Sequence, residues 1–331
     1  MSEMLLSDVK DLAKRLRAGE RRALAKGITL VESGRSEDRK WADKLLSLLL
    51  PDSGKAVRLG LSGAPGVGKS TFIEAFGLYL TGKGSKVAVL AIDPSSSRSG
   101  GSILGDKTRM EELSRDQNAY IRPTPSGGTL GGVARRTREA MVLVEAAGFD
   151  VVIVETVGVG QSEIAVADMV DIFCLLLAPA GGDELQGIKR GIMELADLVI
   201  VNKADGELKK PARVAAADFA GALGLIRPKF EGWRPKVLMA SALEKTGMEE
   251  TWQTIAAFQQ TLARSGEGAN LRASQAQAWL WSELREGLLD AFQSQKGLKR
   301  ALGAAEKSVA KGTQLPPAAA AKLLTQFLGE D

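Results

Sequence analysis

The chain has 331 residues, of which 44% are hydrophobic, and its 44 basic and 40 acidic side chains give a net charge of only +4. This balance, together with 5% aromatic residues, argues against a nucleic-acid-binding surface. Histidine is absent and cysteine occurs once, which excludes histidine-based catalysis and disulfides within the chain. A bound metal ion should therefore be a hard cation held by oxygen atoms.

Two further features concern the compartment. No apolar run approaches the roughly 18 residues of a membrane span, and the amino-terminal residues resemble neither a signal peptide nor a transit segment. The single cysteine, Cys174, lies in the apolar run 172–178 and is expected to be a small core residue. We expect a cytoplasmic protein that does not enter membranes.

The first 52 residues form a predicted helical extension. Apolar side chains recur there three or four residues apart, as on one face of a helix. The positions are Val9, Leu12 and Leu16 in one segment and Trp41, Leu45 and Leu48 in another. Ser36, which precedes two acidic residues, predicts the start of the helix in the second segment.

Strand and helix patterns alternate after this extension. Strands are predicted at 57–62, 86–92, 119–122, 151–155, 172–178, 198–201 and 236–241, with helices such as 133–147 and 213–223 between them. Several strands are continuous runs of Val, Ile and Leu, which is typical of strands buried on both faces. The pattern predicts an α/β domain with a mostly parallel sheet, helices on both sides and active loops at the carboxyl ends of the strands.

A phosphate-binding loop connects the first strand to the next helix. Residues 63–70 read GAPGVGKS, which matches the G-x-x-x-x-G-K-S pattern. Backbone N–H groups of such a loop face a polyphosphate at a helix N-terminus, and the glycines allow close approach. Lys69 is predicted to reach the β- and γ-phosphates, and the Ser70 hydroxyl to bind Mg²⁺. The chain is therefore predicted to be a P-loop NTPase whose loop contacts to the nucleotide come from Gly63, Ala64, Pro65, Gly66, Val67, Gly68, Lys69, Ser70 and Thr71.

Acidic residues near two strand ends are candidates for the metal site. Glu155 ends one strand and begins the sequence ETVG, in which the Gly158 N–H is placed to sense a γ-phosphate. Asp93 follows another strand and could hold a metal-bound water or orient the attacking one; a surface cap is the alternative. Asp106 lies in the glycine-rich segment 100–110, which is predicted to close on Mg²⁺ and phosphates. A solvated loop without a ligand is the alternative there.

The attacking water has no orienting side chain at the usual place. In Ras-type GTPases a glutamine directly follows the glycine of this motif, whereas Val159 stands here. Slow hydrolysis by the isolated protein is therefore expected. The segment 181–189 carries two glycines for motion and places Gln186 and Lys189 about one helical turn apart, so it could supply the missing group. A plain strand-to-helix connection is the alternative.

A base-reading motif, NKAD, occupies residues 202–205 and follows a predicted strand. The Asp205 carboxylate can accept hydrogen bonds from guanine N1–H and the 2-amino group, whereas adenine would leave it unpaired. Asn202 is predicted to brace the pocket, and the stem of Lys203 to lie along the base. GTP is therefore predicted over ATP. Three residues after the last strand resemble a guanine-contacting loop, or form only a turn: Ser241, Ala242 and Leu243.

Only helical patterns remain from about residue 266, at 273–292, 298–311 and 317–328. Trp281, Leu284 and Leu288 form one apolar stripe, while Trp279 lies on another face because two residues turn a helix by about 200°. One stripe suffices for packing on the parent domain, so the second favours self-association. We predict a homodimer joined by this arm; a helical cap with one half-exposed tryptophan is the alternative. The predicted parts are a helical extension at 1–52, the nucleotide-binding domain at 53–265 and the arm at 266–331.

Six motifs together resemble one family. They are GAPGVGKS, DPSS, GGSILGDKTRM, ETVGVGQSE, GDELQGIK and NKAD. In this combination they resemble the methylmalonyl-CoA mutase-associated GTPases, the MeaB or ArgK family, whose human counterpart acts in mitochondrial cobalamin handling. The resemblance covers nearly the whole chain, including both helical extensions.

The resemblance implies a P-loop GTPase of the branch shared with nickel-insertion GTPases. It further implies a homodimer and a G-protein chaperone that gates adenosylcobalamin delivery to, and protects, a B12-dependent acyl-CoA mutase. By the same resemblance, the metal and switch residues fall on Ser70, Asp93, Asp106 and Glu155, and the loop that responds to the mutase falls on 183–189.

Three other classes of protein are less compatible with the residues. A nickel metallochaperone normally needs Cys and His ligands, which this chain lacks. A transport-linked ATPase or kinase would have to bind adenine, which Asp205 disfavours. A structural module that does not hydrolyse nucleotide would not need the complete set of phosphate and metal groups.

Overall fold

The fold was analysed in a computed structural model, which describes residues 5–93, 110–125, 130–156, 162–179, 190–295 and 297–329. The chain forms two compact units, residues 1–275 and 276–331. Within the described ranges, no helix combines the length and the apolarity that crossing a membrane requires.

The first unit begins with three amphipathic helices. They are α1 (Leu6–Arg17), α2 (Arg21–Glu32) and α3 (Ser36–Leu49), followed by a short 3-10 turn at Leu50–Asp52. Their apolar stripes are buried, with Val9, Leu16 and Leu45 fully inaccessible to solvent. The predicted helical extension is therefore present, and it packs onto the rest of the unit as part of one hydrophobic core.

Seven parallel strands form the sheet, as the apolar runs predicted. They are β1 (Val57–Gly63), β2 (Val87–Asp93), β3 (Ala119–Pro125), β4 (Val151–Thr156), β5 (Ile172–Leu177), β6 (Leu198–Val201) and β7 (Lys236–Met239). Their order across the sheet is β3-β2-β4-β1-β5-β6-β7, which puts β1 and its P-loop at the centre. β7 ends two residues before its predicted end, and Ser241 pairs with Thr246 in an isolated bridge.

Helices cover both faces of this sheet. The described helices that follow are α4 (Lys69–Gly82), α5 (Glu111–Arg115), α6 (Leu130–Ala146), α7 (Ser162–Ala167), α8 (Arg190–Leu195), α9 (Lys209–Gly224) and α10 (Met248–Ser265). One core joins the amino-terminal helices to α6 and α7, and another joins α4 to α10. Cys174 is fully buried in β5, and burial raises the pKa of its thiol, as expected of a core residue. Because helices pack on both faces of the sheet, a ligand is expected to bind at the carboxyl ends of the strands.

A buried carboxylate lies at the opposite, amino-terminal edge of the sheet. Asp197 directly precedes β6, and its Oδ2 accepts a hydrogen bond from the Phe173 N–H at 2.9 Å. Lys229 Nζ is 3.9 Å from the other carboxylate oxygen. Burial raises the pKa of Asp197 to about 6, because the charge of Lys229 and the backbone hydrogen bond offset only part of the lost hydration.

Helices α11 (Glu267–Ser294), α12 (Leu298–Ala310) and α13 (Pro316–Leu328) confirm the predicted helical carboxyl terminus. Within the second unit, the rings of Phe292 and Phe327 meet edge to face at 5.4 Å. The stripe on α11 is exposed, with Trp281 64% and Leu288 59% accessible, whereas Trp279 is half-buried. The division of the two units at residue 275 falls inside α11, ten residues beyond the predicted start of the arm.

Candidate nucleotide-binding site

The P-loop turns between β1 and α4 in the conformation that its glycines permit. Gly66 and Gly68 have left-handed backbone angles, with φ of 84° and 90°, which side chains with a Cβ rarely adopt. A Cβ on Gly63 would overlap the Leu176 carbonyl oxygen of the neighbouring strand. The loop thus lies against β5, with Pro65 and Gly66 exposed at its tip.

Lys69 begins α4 and is held by the loop itself. Its Nζ donates hydrogen bonds to the carbonyl oxygens of Gly63 at 2.8 Å and Ala64 at 3.2 Å, and the residue is only 8% exposed. The Phe72 N–H bonds the Gly68 carbonyl at 2.9 Å, which closes the first helical turn. A fixed ammonium and the N-terminus of a 14-residue helix therefore meet at one place, an arrangement suited to binding an anion.

Ser70 and Glu155, two of the predicted metal ligands, lie within hydrogen-bond distance of each other. The Ser70 hydroxyl donates to Glu155 Oε1 at 3.3 Å, and Glu155 is 7% exposed at the end of β4. A hydroxyl beside a buried carboxylate is a hard oxygen pair of the kind that Mg²⁺ accepts, so the residues present fit that ion. Among the described residues, no group of three or more Asp, Glu, Cys or His side chains could hold a metal ion.

The backbone of Asp93 lies at the same edge of the sheet. Asp93 is the last residue of β2, which pairs with β4 so that Ala91 is opposite Glu155. Its side chain and three other predicted site regions lie outside the described part of the chain. These regions contain Asp106, Gly158, and Gln186 with Lys189.

Asn202 links the base motif to the P-loop. Its Nδ2 donates to the Val67 carbonyl at 3.0 Å, and its Oδ1 accepts from the Ala242 N–H at 3.2 Å. Asn202 is 1% exposed, so water competes little for these bonds. A Cβ on Gly68 would lie 2.8 Å from Nδ2, which shows how closely the loop approaches this side chain. The predicted brace therefore joins three segments of the chain.

Lys203 extends over the P-loop from a strained backbone position. Its φ of 56° is in the left-handed region, which is uncommon for a residue other than glycine. Its Nζ donates to the Gly66 carbonyl at 2.7 Å. The aliphatic stem therefore spans the distance between base motif and phosphate loop, where a base would lie beside it.

Asp205 and the residues after β7 form the other wall. The Ser241 hydroxyl donates to Asp205 Oδ2, and the Glu244 N–H donates to Ser241 Oγ at 3.0 Å. Ser241 is fully buried, whereas Leu243 is 79% exposed. The structure thus brings the 241–243 loop onto the base motif, and Asp205 is half-buried there with an oriented carboxylate.

One pair of polar residues at this edge was not singled out from the sequence. Thr156 Oγ1 donates to Ser62 Oγ at 2.9 Å between β4 and β1. The sequence shows a hydroxyl side chain near the end of each of these two apolar strands. That the two hydroxyls meet could be known only from the order of the strands in the sheet.

The chain is similar to known GTPases along most of its length. A protein-family model described as methylmalonyl Co-A mutase-associated GTPase MeaB matches residues 24–297. A probable GTPase of Mycobacterium tuberculosis (strain H37Rv) is 53% identical over 316 residues, covering 96% of this chain and 94% of that protein. The mitochondrial methylmalonic aciduria type A homolog of Mus musculus is 52% identical, covering 93% of this chain and 77% of that protein.

A solved structure extends the similarity to three dimensions. The crystal structure of a protein titled LAO/AO transport system kinase has a TM-score of 0.77 and 40% sequence identity, and the match covers 99% of this chain and 100% of that chain. The fold and the order of the elements around the P-loop are therefore those of a solved relative.

Proposed function

Because the chain belongs to the family of methylmalonyl-CoA mutase-associated GTPases, we propose that its GTPase cycle serves a B12-dependent acyl-CoA mutase. In this proposal the protein gates the loading of adenosylcobalamin and protects the mutase. The chain is a GTPase that converts GTP and water to GDP and phosphate, like its named relatives. The observation that carries the proposal is the family match over residues 24–297, since the description of that family names methylmalonyl-CoA mutase.

The roles of the site residues follow from their positions. Lys69, fixed by the loop carbonyls, would bind the β- and γ-phosphate oxygens. Ser70 and Glu155 would hold Mg²⁺, which when bound neutralises phosphate charge. Asp205, whose carboxylate is oriented by Ser241, would accept the N1–H and 2-amino hydrogen bonds of guanine.

The group that orients the attacking water is part of the proposal. Val159 stands where Ras-type GTPases have glutamine. We propose that Gln186 or Lys189 supplies the missing contact when the mutase is bound, with Asp93 and Asp106 contributing at the metal side. Hydrolysis by the isolated protein would then be slow.

The exposed stripe on α11 supports a homodimer. Trp281, Leu284 and Leu288 are 64%, 46% and 59% accessible within one chain, and a second copy would remove this apolar surface from water. A single, buried cysteine and no disulfide among the described residues suit a reducing compartment such as the cytoplasm.

The experiment that tests the proposal is affinity capture of a partner. The full chain would be used as bait with GDP and with a non-hydrolysable GTP analogue, and captured proteins would be identified by mass spectrometry. We expect a B12-dependent mutase in a nucleotide-dependent amount, and its loss with the bait Lys69→Ala. Captures that contain no such mutase with either nucleotide, from cells that express one, would contradict the proposed partner.

A second candidate function has one observation in its favour. The solved relative is titled a transport system kinase, which would imply ATP as the phosphoryl donor. Turnover of ATP and GTP, measured side by side, separates the two functions. The oriented Asp205 carboxylate predicts that GTP is strongly preferred.

A further inference from the structure

Two buried hydroxyl groups tie the strand that enters the P-loop to the strand that carries Glu155. Thr156 Oγ1 donates to Ser62 Oγ at 2.9 Å, and the two residues are 0% and 1% exposed. Both lie at the carboxyl ends of β1 and β4, directly after the register pair in which Leu61 is opposite Glu155. The hydrogen bond therefore sits where the regular ladder of these two strands ends.

The two polar contacts at this point lie on opposite faces of the sheet. Successive side chains of a strand alternate between faces, so Glu155 and Thr156 point in opposite directions. Glu155 faces α4, where Ser70 donates to it at 3.3 Å. Thr156 shares its face with Val154, which belongs to the core on the other side. On one face, β4 is thus bonded to β1 through Thr156 and Ser62, and on the other face it is bonded to α4 through Glu155 and Ser70.

We propose that the Ser62–Thr156 hydrogen bond positions Glu155 relative to the P-loop for GTP hydrolysis. Neither hydroxyl belongs to the predicted nucleotide or metal contacts, so both are positioning residues that act through Glu155 and Ser70. This inference rests on the proposed function of those two residues in holding Mg²⁺. Displacing a reacting or charge-bearing group by about 1 Å can cost roughly a hundredfold in rate. Without this bond the end of β4 is still paired with β2 at Thr156, so a smaller displacement and a smaller loss are expected.

Packing alone does not require the two hydroxyls. A pair of apolar side chains of the same shape would fill the space, and replacing both partners of a buried hydrogen bond in this way is close to neutral for stability. What an apolar pair lacks is direction. A hydrogen bond fixes the distance and direction between two oxygen atoms, whereas apolar contacts are not directional.

The test compares Thr156→Val, which keeps the shape and removes the hydroxyl, with Thr156→Ser, which keeps the hydroxyl. Ser62→Ala and the double variant, which combines Ser62→Ala with Thr156→Val, complete a double-mutant cycle. Two quantities are measured: GTP turnover, with kcat separated from KM, and the release rate of a fluorescent GDP analogue with Mg²⁺ and with chelator. Circular dichroism and thermal unfolding establish that each variant is folded.

We expect Thr156→Val and Ser62→Ala to lower kcat about tenfold with KM for GTP changed less than twofold. Both should also lose most of the slowing of GDP release by Mg²⁺. Thr156→Ser should restore both properties, and the double variant should be no worse than either single one. If Thr156→Val does not fold, Ser62→Ala decides through the same two measurements.

Three results would overturn the proposal. They are a folded Thr156→Val with kcat and Mg²⁺ dependence within twofold of the unmodified protein, a Thr156→Ser as impaired as Thr156→Val, or effects of Ser62→Ala and Thr156→Val that multiply in the double variant. Glu155→Gln distinguishes this failure from failure of the site proposal. If Mg²⁺ slows GDP release normally in Glu155→Gln, the metal role of Glu155 is wrong. If Glu155→Gln loses that effect and Thr156→Val keeps it, only the positioning role is wrong.

Discussion

Replacing Asn202 by alanine should weaken both the fold and nucleotide binding, because this side chain joins two loops of the site. Its Nδ2 is 3.0 Å from the Val67 carbonyl oxygen, its Oδ1 is 3.2 Å from the Ala242 nitrogen, and the residue is 1% exposed. The substitution removes both partners at once. A buried carbonyl and a buried N–H then lose their hydrogen bonds from Asn202.

The magnitude follows from these two groups. A buried polar group without a hydrogen bond costs about 1–3 kcal/mol, so two cost about 2–6 kcal/mol. Water entering the vacated space offsets part of this cost. We expect the free energy of unfolding to fall by about 3 kcal/mol. GTP affinity should fall about tenfold, since the loops at Val67 and Ala242 are no longer held in place before the nucleotide binds.

Urea denaturation followed by circular dichroism measures the first effect, and titration with a fluorescent GTP analogue measures the second. Asn202→Asp retains the acceptor for the Ala242 N–H but removes the donor to Val67, so it should be impaired as well. Asn118→Ala, a change of the same residue type at a half-buried position directly before the edge strand β3, is the control and should leave GTP affinity unchanged. An Asn202→Ala protein with unaltered unfolding free energy and GTP affinity within twofold would refute the reasoning.

Four further outcomes are expected. Lys69→Ala should abolish GTP binding or turnover with the fold intact by circular dichroism, because the loop carbonyls hold this ammonium where we propose that the phosphates bind; normal binding and turnover would contradict the P-loop role. Asp205→Asn should shift preference from guanosine towards xanthosine triphosphate, with roughly 1–3 kcal/mol of discrimination at stake; full GTP affinity without gain for the xanthosine nucleotide would show that Asp205 is not the base reader. Gln186→Ala and Lys189→Ala should keep basal turnover and lose stimulation by the proposed mutase partner, and undiminished stimulation in both would make the segment 181–189 a connector. For Asp197, burial raises the pKa from 3.8 to about 6, so its protonated form stabilises the fold below about pH 4 and that stability is lost as the pH rises through 6. The loss is about 3 kcal/mol in all, and a pH series of urea denaturation should show it in the native chain but not in Asp197→Asn.

Much of the fold could be predicted because its signals are local. Continuous runs of Val, Ile and Leu, as in β4 and β5, require burial on both faces, and the strands observed are those predicted within a few residues. The P-loop and the base motif are also short patterns whose residue types are dictated by the ligand. Gly66 and Gly68 were expected as glycines for close approach, and their left-handed φ angles account for the residue type.

Contacts between distant segments could not be predicted in this way. Strand order decides that β1 lies between β4 and β5, and no local pattern encodes that order. Asn202 and Val67 are 135 residues apart in the chain, and Ser62 and Thr156 are 94 apart. The sequence alone determined that the protein binds and hydrolyses a guanine nucleotide, because the chemistry of phosphate and base selects residue types at short spacing. Only the tertiary structure decided which side chains hold those motifs together, because a hydrogen bond depends on distance and direction in space, not on separation along the chain.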